Sequence, residues 1–208
     1  MSRSNELTGN ASPTIRMAAA EDGEQIAAIY APYVRDTAIS FEVDPPSGAE
    51  MGQRVASLTA TYPWLVCTSD AAVLGYAYAS RHRERAAYQW SADVSVYIRG
   101  DQHRRGIGRA LYTALLRIVT AQGFYNAYAG ITLPNASSVG LHEALGFTLV
   151  GAYRAVGHKL GVWHDVGWWE LALQPRGSTP PPPRPVGAIR DTAAWTAALA
   201  AGHALLRV

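Results

Sequence analysis

The chain holds one cysteine, Cys67, a scarcity that excludes an internal disulfide and a cysteine-rich zinc site. Cys67 lies in the apolar run WLVC, which reads as a strand, so its thiol is expected to pack in a core rather than act as a nucleophile. Charge is also sparse: 16% of residues are charged and the formal net charge is +2, too weak for a general nucleic-acid surface, so any basic site must be local. No apolar run is long enough to span a membrane. The opening residues MSRSNELTGNAS lack the apolar core of a secretory signal. These absences predict a cytoplasmic protein with no membrane or nucleic-acid partner, and no internal repeat is visible. What remains is 208 residues, 49% of them hydrophobic, enough for one well-buried domain and an extension.

Patterning along the chain predicts a mixed α/β (α+β) fold. Residues 14–19 read as a strand, and Glu21 and Asp22 open a helix carrying Ile26, Ile29, Tyr30 and Tyr33 at helical spacing. After Pro45 and Pro46 a second helix is predicted over 47–61. WLVCTSD and AAVLGYAYAS form a hairpin around Ser69 and Asp70, and WSADVSVYI adds a strand. A helix follows Gly106, with Ile107, Leu111, Leu115, Ile118 and Val119 on one face. AYAGITL is a strand and SSVGLHEAL a helix closed by Gly146, before the final strands FTLVGAYRAV and DVGWWELAL. The order β-α-α-β-β-β-α-β-α-β-β is that of one mixed sheet flanked by helices, not of a doubly wound sheet.

Composition divides the chain into a polar segment expected to be disordered (1–12), a folded domain (13–174), a proline-rich linker (175–187) and a C-terminal helical extension (188–208). Trp195, Leu199, Leu205 and Leu206 fall on one side of that last helix, which reads equally as an inert tail or as a surface for subunit contact.

The stretch QHRRGIGR, residues 102–109, crowds two glycines and three arginines where a helix begins. Glycine is a poor helix former and like charges repel, so local stability does not explain the choice. A phosphate ligand does. Glycines admit a close backbone approach, the first helical amides are unsatisfied, and arginine adds charge-assisted hydrogen bonds. The competing reading is a basic surface turn.

With this element order, QHRRGIGRALYTALL followed by LPNASSVGLHEALGF resembles the GNAT superfamily of acetyl-CoA-dependent N-acetyltransferases. YPWLV, YAYASRHRERAAYQW, VSVYI and WHDVGWWEL are similar, more narrowly, to the phosphinothricin and methionine sulfoximine N-acetyltransferases. The resemblance runs from about Thr14 to Leu173 and leaves out both ends of the chain. It implies a GNAT fold with a central sheet of six to seven strands, acetyl-CoA as co-substrate, no metal, and a twofold homodimer. The three tryptophans of WHDVGWWEL are more aromatic surface than one small sheet face covers. The resemblance also assigns the cofactor: the amides of Arg104, Arg105, Gly106, Ile107, Gly108 and Arg109 around its pyrophosphate, with Val96, Tyr97, Ile98, Asn135 and Ser138 along its arm. Where the superfamily usually has Gln or Arg, three residues before the first glycine, this chain has His103.

Acetyl transfer to an amine needs the ammonium to lose a proton and a donor for the developing oxyanion. It needs no covalent intermediate, and no activated nucleophile is evident. The resemblance places Asp93 where the family carries Glu, as the base; without it, an Asp before an apolar strand is a solvated turn residue. His142 stands near the thioester sulfur in this pattern and is a second proton-handling candidate, its alternative being structural. Asn135 is implied to bind the pantetheine arm and, from its position alone, to cap the next helix.

RHRER lies between two strands, so Arg83 and Arg85 can fork onto the carboxylate of a small amino-acid-like acceptor; otherwise the segment is a solvated tip with an internal ion pair through Glu84. Phe41 and Glu42 match a loop lining the family's acceptor pocket. Tyr88 and Tyr97 match its walls, although Tyr97 is equally an ordinary strand residue. The leading expectation is acetylation of an α-amino group in a small amino-acid analogue. The alternatives are another small amine, a protein N-terminus, or a non-catalytic acyl-CoA-binding module.

Overall fold

The computed structural model describes residues 12–207, so the segment expected to be disordered lies, Ser12 apart, outside the described residues. The elements are β1 (Thr14–Met17), α1 (Gly23–Asp36), α2 (Gly48–Leu58), β2 (Trp64–Ser69), β3 (Ala72–Arg81), β4 (Ser91–Ile98), α3 (Ile107–Gln122), β5 (Asn126–Leu133), α4 (Ala136–Ala144), β6 (Thr148–Lys159), β7 (Val162–Ala172) and α5 (Ala193–His203). Seven strands form one mixed sheet in the order β1-β2-β3-β4-β5-β7-β6. The pair β4–β5 is parallel and the other neighbours are antiparallel.

Alternation along the strands sorts the core into two layers. Leu65, Cys67, Leu74 and Ala77 face α3, while Trp64, Val66, Val73 and Tyr76 face α1 and α2. β2 therefore reads as a continuous apolar run because both its faces are covered. The second helix is shorter than the 47–61 predicted: it starts after a capping box in which Ser47 accepts from the Glu50 amide and Glu50 reaches back to the Ser47 amide, and it ends at Leu58 with Thr59 as its C-cap. Strands β6 and β7 are longer than predicted at the hairpin they share.

The C-terminal extension is neither a free linker nor an inert tail. Val186 and Ile189 are buried in the core beside α3. Gln122 in α3 donates from Nε2 to the carbonyls of Thr61 and Arg184, both at 2.8 Å. Beyond the Thr192 cap, α5 packs on α3 and on β1, burying Trp195 and Ala198. His203 Nε2 accepts the Ile15 amide at 2.6 Å, so this helix engages the β1 edge of the sheet. Among the described residues, no helix is long and apolar enough to cross a membrane.

Candidate active site

The turn before α3 is built to leave amides free. Arg104 and Gly106 take positive φ of 63° and 81°, and the first backbone bond of the helix runs from the Ala110 amide to the Gly106 carbonyl at 3.0 Å. Ile107, Gly108 and Arg109 therefore present N–H groups without a helical partner, in the positive end of the helix dipole. His103 holds the turn to its neighbours: its Nε2 lies 2.9 Å from the Tyr33 hydroxyl and 3.1 Å from the Ile98 carbonyl, at the end of β4. Gly108 packs where α3 meets α4 and β4, with Leu141 3.4 Å from the position a side chain would take.

Beside this turn the sheet opens. β4 and β5 pair only at Ser91 with Asn126, Ala92 with Ala127 and Asp93 with Tyr128, although β4 continues to Ile98 and β5 to Leu133. Past Asp93 the strands part, and the β4 backbone at Val96, Tyr97 and Ile98 is paired only with β3. Its other edge is free to bond an extended amide-bearing ligand. The splay points from the free amides of the turn toward Asp93.

Asp93 stands at the apex of that opening. Residues 93, 95 and 97 share the sheet face covered by α1 and α2, since Ala92 and Val94 belong to the α3 layer. Burial raises the Asp93 carboxyl above its ordinary value, with His82 and Arg83 opposing. His82, a residue that sequence reasoning missed, places Nδ1 2.6 Å from Asp93 Oδ1 and stacks on Tyr128 with centroids 4.4 Å apart. Tyr88 and Trp168 meet the same ring edge-on.

The other residues predicted to bind the acceptor have separate surroundings. The Arg83 guanidinium lies 5.3 Å over the Trp168 ring, and Arg85 is exposed on the same loop. Among the described residues neither arginine pairs with Glu84, so the internal ion pair weighed for RHRER does not form. Phe41 is exposed and its ring rests on Gly157, where an added side chain would collide with it. Glu42 is committed within the protein: it accepts from both Arg54 nitrogens and from the Tyr30 hydroxyl, which hold its carboxyl below the usual range. Lys159 on β6 donates to the Val34 and Ser40 carbonyls and ties this loop to the β6–β7 hairpin. Tyr97 is held edge-on by Tyr30 and Tyr33, 4.9 and 5.2 Å away, so it fills the aromatic layer as an ordinary strand residue would. An open cavity of about 580 Å³ lined by Tyr30, Glu42, Arg54, Trp64 and Tyr78 adjoins it.

His142, expected to handle a proton, lies inside the protein. It is 3% exposed, with Nδ1 2.7 Å from the Ser138 carbonyl and Nε2 3.1 Å from the Tyr112 hydroxyl. Both ring nitrogens are engaged inside the protein, and burial lowers its affinity for a proton. Asn135 caps α4 through Oδ1, which accepts the Ser138 amide at 3.1 Å, the capping role read from its position. Among the described residues, no group of three or more His, Cys, Asp and Glu side chains could hold a metal ion.

Comparison with known proteins identifies the family and the fold. Residues 15–168 match the acetyltransferase (GNAT) domain family. The phosphinothricin N-acetyltransferase of Streptomyces viridochromogenes is 41% identical over 172 residues, covering 83% of this chain and 92% of the relative. The L-methionine sulfoximine/L-methionine sulfone acetyltransferase of Pseudomonas paraeruginosa is 38% identical, covering 81% of this chain and 99% of the relative. Among solved structures, a phosphinothricin acetyltransferase from Sinorhizobium meliloti in complex with AcCoA superposes with a TM-score of 0.77 at 38% identity, covering 82% and 93% of the two chains.

Proposed function

Since the chain belongs to the GNAT acetyltransferase family, we propose that it transfers the acetyl group of acetyl-CoA to the α-amino group of a small amino-acid analogue, of the phosphinothricin or methionine sulfoximine kind. The observation that carries this reading is the position of Asp93, where β4 and β5 part, on the face reached from the acceptor loop.

In this reading the amides and arginines of residues 104–109 hold the cofactor's pyrophosphate. The free edge of β4 at Val96, Tyr97 and Ile98, with Asn135 and Ser138 at the start of α4, guides the arm so that the thioester meets Asp93. The acceptor enters from the α1–α2 side. Arg83 and Arg85 take its carboxylate, and Phe41 and Tyr88 flank its side chain. Glu42, occupied by Arg54 and Tyr30, shapes the acceptor loop rather than binding a charge. The ammonium proton leaves at the Asp93 end of the cleft, and the amine attacks the thioester directly. Cys67 offers no covalent detour, because burial raises its thiol to about 11 and leaves it protonated. His142 is assigned a positioning role between α3 and α4.

Support for a homodimer comes from the β6–β7 hairpin, which exposes Leu149, Val150, Tyr153, Val156, Val162 and Trp163. That is an apolar face a second copy would cover. Thiol release from acetyl-CoA, measured across a panel of amino acids, sulfoximines and simple amines, tests the function. Turnover confined to acceptors with a free α-carboxylate supports it. Equal turnover of simple amines contradicts the assigned acceptor class.

A further inference from the structure

The acetyl-transfer reading above leaves open which atom takes the acceptor's proton. We propose that His82 does so through Nε2, and that Asp93 acts as its partner by holding Nδ1.

Three observations carry this. The first is the tautomer. With Nδ1 2.6 Å from Asp93 Oδ1, the ring proton sits on Nδ1 and is donated to the carboxylate. Nε2 then carries the lone pair, and among the described residues it has no hydrogen-bond partner. A carboxylate that fixes one nitrogen of an imidazole, while the other faces the reactant, is the arrangement that makes a histidine a base.

The second is placement. His82 adjoins Arg83 and lies three residues before Arg85. In an α-amino acid whose carboxylate rests on either arginine, the nitrogen is two bonds from the carboxyl carbon. Its base therefore has to belong to the same corner of the cleft, and His82 does. The ring is stacked on Tyr128 and edged by Tyr88 and Trp168, with only 12% of the side chain exposed, so its direction is set by packing. The charged and titratable groups around it are Asp93 from β4, Arg83 and Tyr88 from its own loop, and Tyr128 from β5, which Glu170 of β7 engages in turn.

The third is reach. Asp93 is one methylene shorter than the Glu of the resembling family, and its Oδ1 is already bonded. An imidazole interposed between carboxylate and amine extends the relay without a loosely held water.

The protons balance. An ammonium carries three and the product amide one. Transfer of the first to Nε2 breaks one N–H bond, leaves the electron pair on nitrogen and forms an imidazolium beside Asp93, which passes that proton to solvent. The amine then attacks the carbonyl carbon. The C–N bond forms, the C–S bond breaks, and the second proton ends on the coenzyme A sulfur.

Two measurements test this separately from the acetyl-transfer reading. The first follows His82 by ring NMR in the parent and in Asp93→Asn, without substrate. Loss of the carboxylate should release the ring from the Nδ1–H tautomer, read from its nitrogen shifts at fixed pH, and an unchanged tautomer overturns the pairing. The second compares the parent, His82→Phe and His82→Gln with L-phosphinothricin and L-methionine sulfoximine. The substitutions should lower kcat by about two to four orders of magnitude and leave acetyl-CoA affinity within about threefold. They should also remove the histidine limb from the pH profile of kcat/KM. His82→Phe tests stacking alone, and His82→Gln serves if the phenylalanine variant fails to fold. Parent-like kcat and pH profile in either folded variant refute the inference while the acetyltransferase reading stands. A parent inactive on every amino-acid acceptor refutes that reading, and the NMR tautomer still decides the pairing.

Discussion

The carbonyl oxygen of Leu205 faces the α-carbon of Gly106, 3.1 Å from where a side chain there would begin. The turn proposed to hold the pyrophosphate is thus backed by the C-terminal extension, a segment that lies outside the family match at residues 15–168. Gly106 is constrained twice, since its φ of 81° already penalises any side chain. Gly106→Val is expected to lose about 1–2 kcal/mol of stability from the backbone alone. It should also weaken acetyl-CoA binding by at least about tenfold, because the amides it presents would turn away. Titration calorimetry checks this, and unchanged affinity would remove the turn from the cofactor site.

The extension should matter to stability as much as to the turn. Trp195 is 6% exposed in the core shared with α3, so Trp195→Ala should cost about 3–5 kcal/mol. His203→Ala removes the acceptor of the Ile15 amide and should cost about 1 kcal/mol. Denaturant unfolding at neutral pH measures both. A loss below about 1 kcal/mol for Trp195→Ala would show that α5 is not part of the core.

Much of this was legible in the chain. The order of eleven elements followed from periodicity and breakers, because β2 and β3 are continuous buried apolar runs and α1, α2 and α3 are amphipathic. The turn before α3 was legible because glycines and arginines crowded at a helix start stand out from helix-forming sequence. Asp93 and the RHRER arginines were singled out by motif, but His82 was not, because its contact with Asp93 depends on which strands are neighbours. Register pairs Ser80 with Asp93, which brings the residue just past the end of β3 beside the carboxylate. Reading the hairpin register would have found it. For His142 the spacing is that of a site residue, while its contact with the hydroxyl of Tyr112, thirty positions earlier, shows only in the fold. The α5 docking face needed α3 in place before it had a partner.

At the acceptor end, Arg85→Ala should raise KM for an amino-acid acceptor about tenfold or more while leaving KM for acetyl-CoA within about twofold, as expected for a lost charge-assisted contact. Steady-state kinetics varying each substrate in turn separates the effects. An equal rise in both, or none, would return the loop to a solvated hairpin tip.

Acid stability offers a check away from the site. Asp22 accepts from both terminal nitrogens of Arg16 at 2.7 Å and from the Ala19 amide at 2.8 Å, and these bonds hold its carboxyl below the ordinary value. The folded protein therefore keeps Asp22 ionised where the unfolded chain has begun to protonate it. The contribution is complete above the unfolded carboxyl value, near about pH 4, and fades as pH falls from there toward the folded value. Asp22→Asn should cost about 1–2 kcal/mol at pH 7, at the lower end because the Arg16 side chain is 46% exposed. The gap between parent and variant in urea unfolding should narrow below about pH 4. A gap that widens on acidification would contradict the assignment.

The central claim is the reaction itself, and the product decides it most directly. The protein, incubated with acetyl-CoA and L-phosphinothricin, should yield one N-acetylated molecule for each thiol released, with NMR placing the acetyl group on the α-nitrogen. Tight binding of acetyl-CoA with no acetylated amino acid, from this acceptor or from L-methionine sulfoximine, would contradict it.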